Sequence, residues 1–240
     1  MLLGYLRLEL RRTVRDSGFL IMSLIAPVAL YLLFSHLGGG PSSHDEQVRN
    51  MAGMAGFGAL GAVMNSLGGV SEDKRAGWLR QLRLTPLPPV TVVLGRAITS
   101  MTLALPPVLA VTLLGGLVNG VHLSAAEWVG TVGVLWVGIA PISMLAIGCG
   151  YLLDGAKAQS MGLVSYLLLS VVGGLLIDVK NFPHWLGQVS GWTPINRYKQ
   201  LVSDLALGHA LSTTALAILL VWSVALAVFA AFGYRRGTTA

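Results

Sequence analysis

Six stretches of the chain, at about 19–37, 51–70, 97–118, 128–153, 161–177 and 213–232, contain no Asp, Glu, Lys or Arg. Each is near the ~20 residues that an α-helix needs to cross the ~30 Å hydrocarbon layer of a bilayer. No water reaches that layer to bond open backbone groups, so such a run must satisfy its own N–H and C=O groups as a helix. Charged residues make up 11% of the 240 residues, less than half of the roughly 25% found in soluble domains. Mean hydropathy is +0.72, and a chain this apolar must use lipid as its main solvent. The expected fold is all-α: a polytopic integral membrane protein with six transmembrane helices, one transmembrane domain over 1–240, and no sizeable soluble domain.

The remaining charges predict the orientation. Basic residues sit at Arg7, Arg11, Arg12 and Arg15 before the first run, at Lys74, Arg75, Arg80, Arg83 and Arg96 after the second, at Lys157 after the fourth, and at Arg235 and Arg236 in the tail. These alternate connections fall on one side and carry twelve of the sixteen Lys and Arg; Arg49, Lys180, Arg197 and Lys199 are left for the other. The positive-inside rule then places both termini in the cytoplasm of a multi-pass protein of the cell membrane. The net charge of +6 and the pI near 9.8 do not indicate nucleic acid, because the basic residues flank apolar runs and form no patch interleaved with aromatics. Cys149, the only cysteine, excludes a disulfide within the chain and a cysteine zinc site. The first run is a full-length span without a small-residue cleavage pattern, so it reads as an anchor and not a cleaved signal.

Within the runs, Pro27 marks a kink in the first and Pro106–Pro107 a break in the third. The second is rich in Gly and Ala, with Gly53, Gly56, Gly58 and Gly61 at spacings that let helix backbones approach closely. The segment 178–212 is the longest connection on the outer side. Its apolar stretches, such as 182–186, predict a re-entrant path back toward the membrane, which requires cover from other protein.

Several chemistries are excluded by what the runs lack. Ionisable residues within a membrane mark ion paths and proton relays, and the six runs hold no Asp, Glu, Lys or Arg and only His36, at the outer end of the first, which disfavours a secondary carrier or a cation channel. No G-x-x-x-x-G-K-[ST] loop, G-x-S-x-G elbow or H-E-x-x-H pair is present, so neither a nucleotide site nor a protease centre is expected. No residue is assigned a catalytic role. The five histidines, His36, His44, His122, His184 and His209, all fall on the predicted outer side. Converging imidazoles bind zinc or copper, but no pair has close ligand spacing, and no metal site is assigned.

The strongest positive signal is cytoplasmic, at 71–84. Ser71, Glu72 and Asp73 read as a capped, acidic helix start, Arg80 and Arg83 as its basic end, and Pro86, Pro88 and Pro89 as its stop. At ~100° per residue, Trp78, Leu79 and Leu82 share one sector, which predicts a short helix along the inner membrane surface. Arg75 falls in the same sector and makes the amphipathicity imperfect. The helix reads equally as a surface anchor or as a docking element.

The run Glu72-Asp73-Lys74-Arg75-Ala76-Gly77-Trp78-Leu79, followed by Leu82-Arg83-Leu84-Thr85-Pro86-Leu87, resembles the cytoplasmic signature of type-2 ATP-binding-cassette export permeases. Trp192-Thr193-Pro194-Ile195-Asn196-Arg197-Tyr198, before the last run, resembles the external segment of the same family. The six-span layout extends the resemblance over nearly the whole chain. Trp78 departs from the small or polar residue that often follows the glycine, and the absence of a large external domain argues against the macrolide-type exporters.

The resemblance implies a half-transporter. Two copies, or this chain and a related permease subunit, would form the pore, and a separate ABC ATPase subunit holding ATP and magnesium would dock below. This chain would bind no cofactor and no nucleic acid. An amphipathic N-terminal helix is implied at about 2–15, and a cytoplasmic coupling helix at 72–84. The implied docking residues are Glu72, Arg75, Gly77, Trp78, Leu79, Arg80, Leu82, Arg83, Thr85 and Pro86. Gly53, Gly56 and Gly61 in the second run and Gly162, Gly173 and Gly174 in the fifth are candidates for the pore or dimer face, although small residues also simply pack helices in lipid. The expected function is export of a hydrophobic or amphipathic substrate. Drugs, antibiotics, lipids and peptides all suit an apolar, uncharged path. A non-transporting scaffold or assembly factor is the main alternative.

The orientation is checked by labelling of engineered cysteines in cells. Positions 44, 120 and 208 should react from outside, and positions 77, 155 and 237 only from the cytoplasm. An exchange of the two sets would overturn the orientation, and a mixture would overturn the span count.

Overall fold

The computed structural model describes residues 20–36, 43–77 and 89–239, and these contain helices and connecting turns but no strand. A π-helical turn, Leu20–Ile25, leads into α1 (Ala26–His36). Then come α2 (His44–Arg75), α3 (Pro89–Leu117), α4 (Ala125–Val137), α5 (Ala140–Leu152) and α6 (Gly155–Val172). A 3-10 turn, Val179–Asn181, precedes α7 (His184–Trp192), α8 (Pro194–Ala206) and α9 (Thr213–Thr239). Pro27 has no N–H for the carbonyl of Ser23, and the wider turn just before it accommodates the missing bond.

α2 is the axis of the bundle. Ser43 caps it by accepting from the Glu46 N–H at 3.3 Å, Asp45 and Glu46 lie in its first turn, and Lys74 and Arg75 in its last. Both charge placements suit the helix dipole. Every residue from Met51 to Met64 is buried, so this helix is enclosed by protein on all sides and not by lipid. Its glycines admit the neighbours. A Cβ on Gly58 would lie 2.8 Å from Pro107 Cβ of α3 and 3.2 Å from Pro27 Cγ of α1. One on Gly61 would lie 3.2 Å from the Tyr166 ring of α6.

Three boundaries differ from the sequence expectation. First, Ser71–Asp73 do not open a new helix. α2 continues through them to Arg75, and the chain turns at Ala76 and Gly77, whose φ of +76° is left-handed. No breaker separates Val70 from Ser71, so the helix propagates. Residues 78–88, with Trp78, Leu79, Arg80, Leu82, Arg83, Thr85 and Pro86, lie outside the described residues, as does the expected N-terminal helix. Second, Pro106 and Pro107 do not break α3, which runs unbroken from Pro89 to Leu117. Trp136 Nε1 donates to the Met101 carbonyl at 3.1 Å, beside the carbonyls of Thr102 and Leu103 that the prolines leave without an amide partner. Third, the fourth run is two helices that part at Gly138–Ile139. Pro141 cannot donate to Val137, and Tyr198 Oη bonds the Leu135 carbonyl at 2.8 Å.

Among the described residues, three stretches are long and apolar enough to cross a membrane: Thr91–Leu117, Ala125–Leu152 and Thr213–Gly237. Ser23–His36 is a shorter apolar helix. On α9, Leu220, Val221, Val224 and Val228 are each at least 65% exposed, the pattern of a helix that turns an apolar face to lipid.

The helices define two ends: a basic end, with Lys74, Arg75, Arg96, Lys157 and Arg235, and a far end covered by the segment after α6. There Thr193 caps α8, with Pro194 at its first position. Pro194, Ile195, Tyr198, Leu201, Val202 and Ala206 form a buried face that packs on α2, α4 and α9. Trp185 and Trp192 of α7 are 66% and 72% exposed, as interfacial tryptophans are.

The close approaches along α2 predict opposite outcomes at two glycines. Gly58→Ala, with Pro107 in its way, should cost about 1–3 kcal/mol and lower the melting temperature of the purified protein. Gly95→Ala, in α3 with no atom within 4 Å, should leave it unchanged or raise it, because Ala suits a helix interior better by about 1 kcal/mol. Differential scanning fluorimetry in detergent reads both.

Candidate functional site

A cleft of about 700 Å³ opens at the basic end. Gly61, Ala62, Asn65, Gly68 and Gly69 of α2 form its floor. Arg96, Thr99, Ser100 and Leu103 of α3 form one wall, and Ala158, Gln159, Gly162, Leu163 and Tyr166 of α6 the other. At ~1.5 Å per residue, the eleven steps from Gly155 to Tyr166 span ~16 Å, about half of a ~30 Å hydrocarbon layer. At the inner end Tyr166 stacks on Phe57, with ring centroids 4.7 Å apart and 24° between planes.

The rim is tied by polar contacts from the last turns of α2. Asp73 pairs with Arg96 of α3. Their side chains are 25% and 12% exposed, so the pair is shielded more than a surface ion pair. Lys74 Nζ meets Asp154 Oδ1 at 2.8 Å, before α6. Ser71 Oγ accepts from the Gly155 N–H at 2.8 Å. Gly155 has φ +49°, and a Cβ there would meet the Arg75 guanidinium at 2.6 Å, so both the backbone and the space call for glycine. The hydrogen bond and charge of Lys74, with the charges of Arg75 and Lys157, hold the Asp154 carboxyl below the usual carboxylate range. That contact is complete above the usual range and is lost as the pH falls through the lowered pKa.

The structure therefore brings part of the expected site together. Glu72 and Arg75 line the cleft, and Gly77 ends the turn after α2. Ser71, Asp73 and Lys74 fasten α2 to both neighbours. Of the glycines expected at a pore or dimer face, Gly61 and Gly162 line the cleft. The other four are buried within the chain at the far end. A Cβ on Gly53 would lie 2.7 Å from the Leu175 carbonyl oxygen, and one on Gly56 would lie 3.1 Å from the Tyr198 ring. Gly173 abuts Ile195 of α8, and Gly174 (φ +75°) abuts Val179. Gly174 also gives its carbonyl to Lys199 Nζ. Burial pushes the Lys199 ammonium below the usual lysine range, Asp178 opposing and Arg49 adding to the fall.

The cleft is not wholly apolar. Ser66, Thr99, Ser100, Asn65 and Gln159 line it, and a search for charges alone passes over them. Asn65 inside an otherwise apolar run was the available signal. The five histidines are all exposed, and no three or more metal-ligating side chains converge among the described residues.

Residues 4–202 match the family described as ABC-2 type transporter. The "Putative transport permease YvfS" of Bacillus subtilis (strain 168) is 25% identical over 205 residues, covering 83% of this chain and 83% of that protein.

The rim contacts rank themselves by exposure. Arg96→Ala leaves Asp73 without its partner in a shielded place and should cost about 1–3 kcal/mol. Lys74→Ala, whose partner Asp154 is 67% exposed, should cost measurably less. The exchange Asp73→Arg with Arg96→Asp should recover much of the melting temperature that Arg96→Ala loses, which a purely steric role for Arg96 would not allow.

Proposed function

Because the chain belongs to the ABC-2 type transporter family, we propose that it is the membrane permease subunit of an ATP-driven exporter of hydrophobic or amphipathic molecules. In this reading ATP and magnesium bind a separate ATPase subunit. A second copy or a related permease subunit completes the pore, six spans cross the cell membrane, and both termini and the basic end face the cytoplasm. The observation that carries the reading is the half-depth cleft, open at the basic end and closed beyond Tyr166 by packed side chains. Such a cleft is the loading side of an alternating-access path.

The chain's own residues suggest how the path works. The acidic and basic residues from Glu72 to Arg75 end the central helix, so a partner subunit pressing on the segment after Gly77 acts on α2 directly. The Asp73–Arg96 and Lys74–Asp154 pairs hold α3 and α6 to that end while the cleft is open. At the far end Tyr198, Ile195 and Leu175 fill the space left by Gly56, Gly173 and Gly53. Release requires that seal to part.

Accessibility at Ser160, on the α6 wall, tests the reading. In a Cys149→Ala background reconstituted with its ATPase partner, Ser160→Cys should react with a hydrophilic maleimide from the cytoplasmic side and more slowly once a non-hydrolysable ATP analogue is bound. The chain purified alone should hydrolyse no ATP. Labelling from outside, or a rate indifferent to nucleotide, would overturn the assignment.

A further inference from the structure

We infer that the cleft selects amphiphiles with a neutral, hydrogen-bonding head group, and that Asn65 and Gln159 are the side chains that read it. The inference rests on the proposed reading of the cleft as the substrate path and concerns which substrates it admits.

Among the described residues that line the cleft, charge is confined to the rim. Glu72, Asp73, Arg75 and Arg96 are the acidic and basic residues of that lining, two of each sign, and Asp73 is already paired with Arg96. Between the rim and Tyr166 the lining holds no Asp, Glu, Lys, Arg or His among the described residues. An ion moving inward would shed water and meet no countercharge from these residues, which is costly at membrane depth.

The interior is nevertheless built for hydrogen bonds. Ser66 Oγ donates to the Val63 carbonyl at 2.6 Å, and Thr99 and Ser100 donate to Gly95 and Ala97, each at 3.0 Å. With those protons committed, the three hydroxyls offer the cleft only acceptor lone pairs. Asn65 and Gln159 differ. Both side chains are exposed in the cleft, and neither makes a hydrogen bond among the described residues. Each carboxamide keeps two N–H donors and an acceptor oxygen. By helical rise, Asn65 lies ~10 Å inward of Glu72 and Gln159 ~6 Å inward of Gly155. An amide at that depth without a partner costs several kcal/mol or so, and water or a ligand must meet it. A wholly apolar ligand would displace the water and leave both amides unpaired, a mismatch that rejects it strongly. A head group with hydroxyls or an amide satisfies both, while Leu103, Leu163 and Tyr166 receive its apolar part.

The test uses the full-length chain in nanodiscs, carrying Cys149→Ala and Ser160→Cys, and measures protection of the cysteine from maleimide. The probes share a ten-carbon chain: decanoyl-N-methylglucamide, which is neutral with an amide and hydroxyls, decyltrimethylammonium, decyl sulfate and decane. They are compared at equal mole fraction in the bilayer. The glucamide should half-protect at a concentration about tenfold or more below the others, the selectivity of a site whose polar groups are otherwise left unpaired. Asn65→Leu and Gln159→Leu should each erase that preference and bring decane level with it. Gln159→Glu should shift the preference toward decyltrimethylammonium. Best protection by either charged probe, or a glucamide preference that survives both leucine variants, would overturn the head-group inference and leave the cleft as a substrate path. Protection by no probe would remove the reading of the cleft itself, and the inference with it.

Discussion

The structure depends on the burial of one helix by protein on every side. In lipid there is no hydrophobic drive between helices, so association relies on close packing and a few polar contacts. α2 meets that condition with small residues. Its Gly and Ala positions lower its apolarity below that of α3, the α4–α5 stretch and α9, yet they let prolines, tyrosines and a backbone carbonyl press onto it. Hydrophobicity and burial thus part company: the lipid-facing α9 is rich in Leu and Val, and the most enclosed helix is not.

Both ends of the cleft are consequently features of α2. Its last turns carry Ser71, Asp73 and Lys74, which bind α3 and the turn before α6. Its first half receives Leu175 and Tyr198, which close the far end. Tyr198 does two things at once. Its ring sits against Gly56 and Gly138, and its hydroxyl takes the Leu135 carbonyl at the break between α4 and α5. That break is stable because the carbonyl freed by an interrupted helix has a buried donor, as membrane-embedded backbone requires.

Apolar runs and flanking charges made the helical, membrane-embedded class legible from sequence, and the Gly-rich second run announced a packed helix. Local boundary signals were less dependable. Ser-Glu-Asp after Val70 carries the residue types of an N-cap, but the same residues extend a helix that is already propagating, and nothing before them stops it. Pro106 and Pro107 carry a break signal that packing against Gly58 overrides, whereas Gly138 and Pro141 do interrupt their helix, three residues from Tyr198's bond acceptor at the nearest. These outcomes depend on neighbours distant in sequence. The cleft was illegible for a related reason: Asn65, Thr99 and Gln159 are far apart in the chain, and only the meeting of α2, α3 and α6 gives them a common space.

The position of the acidic and basic residues after Val70 gains a physical meaning from the continuity of α2. As a separate surface helix, 72–84 would pass force to the bundle through a flexible joint. As the end of α2, Glu72 and Asp73 belong to a rod that also carries Gly56, and the sixteen steps from Gly56 to Glu72 span ~24 Å of unbroken helix. In the proposed mechanism, a displacement applied beyond Gly77 need not be relayed through successive side chains to reach the far seal. The rim pairs then oppose motion at one end and the Tyr198 contacts at the other. A permease that moves its cargo with a partner's energy needs both: a rod stiff enough to carry the push, and end contacts weak enough, each worth a few kcal/mol or less, to yield to it.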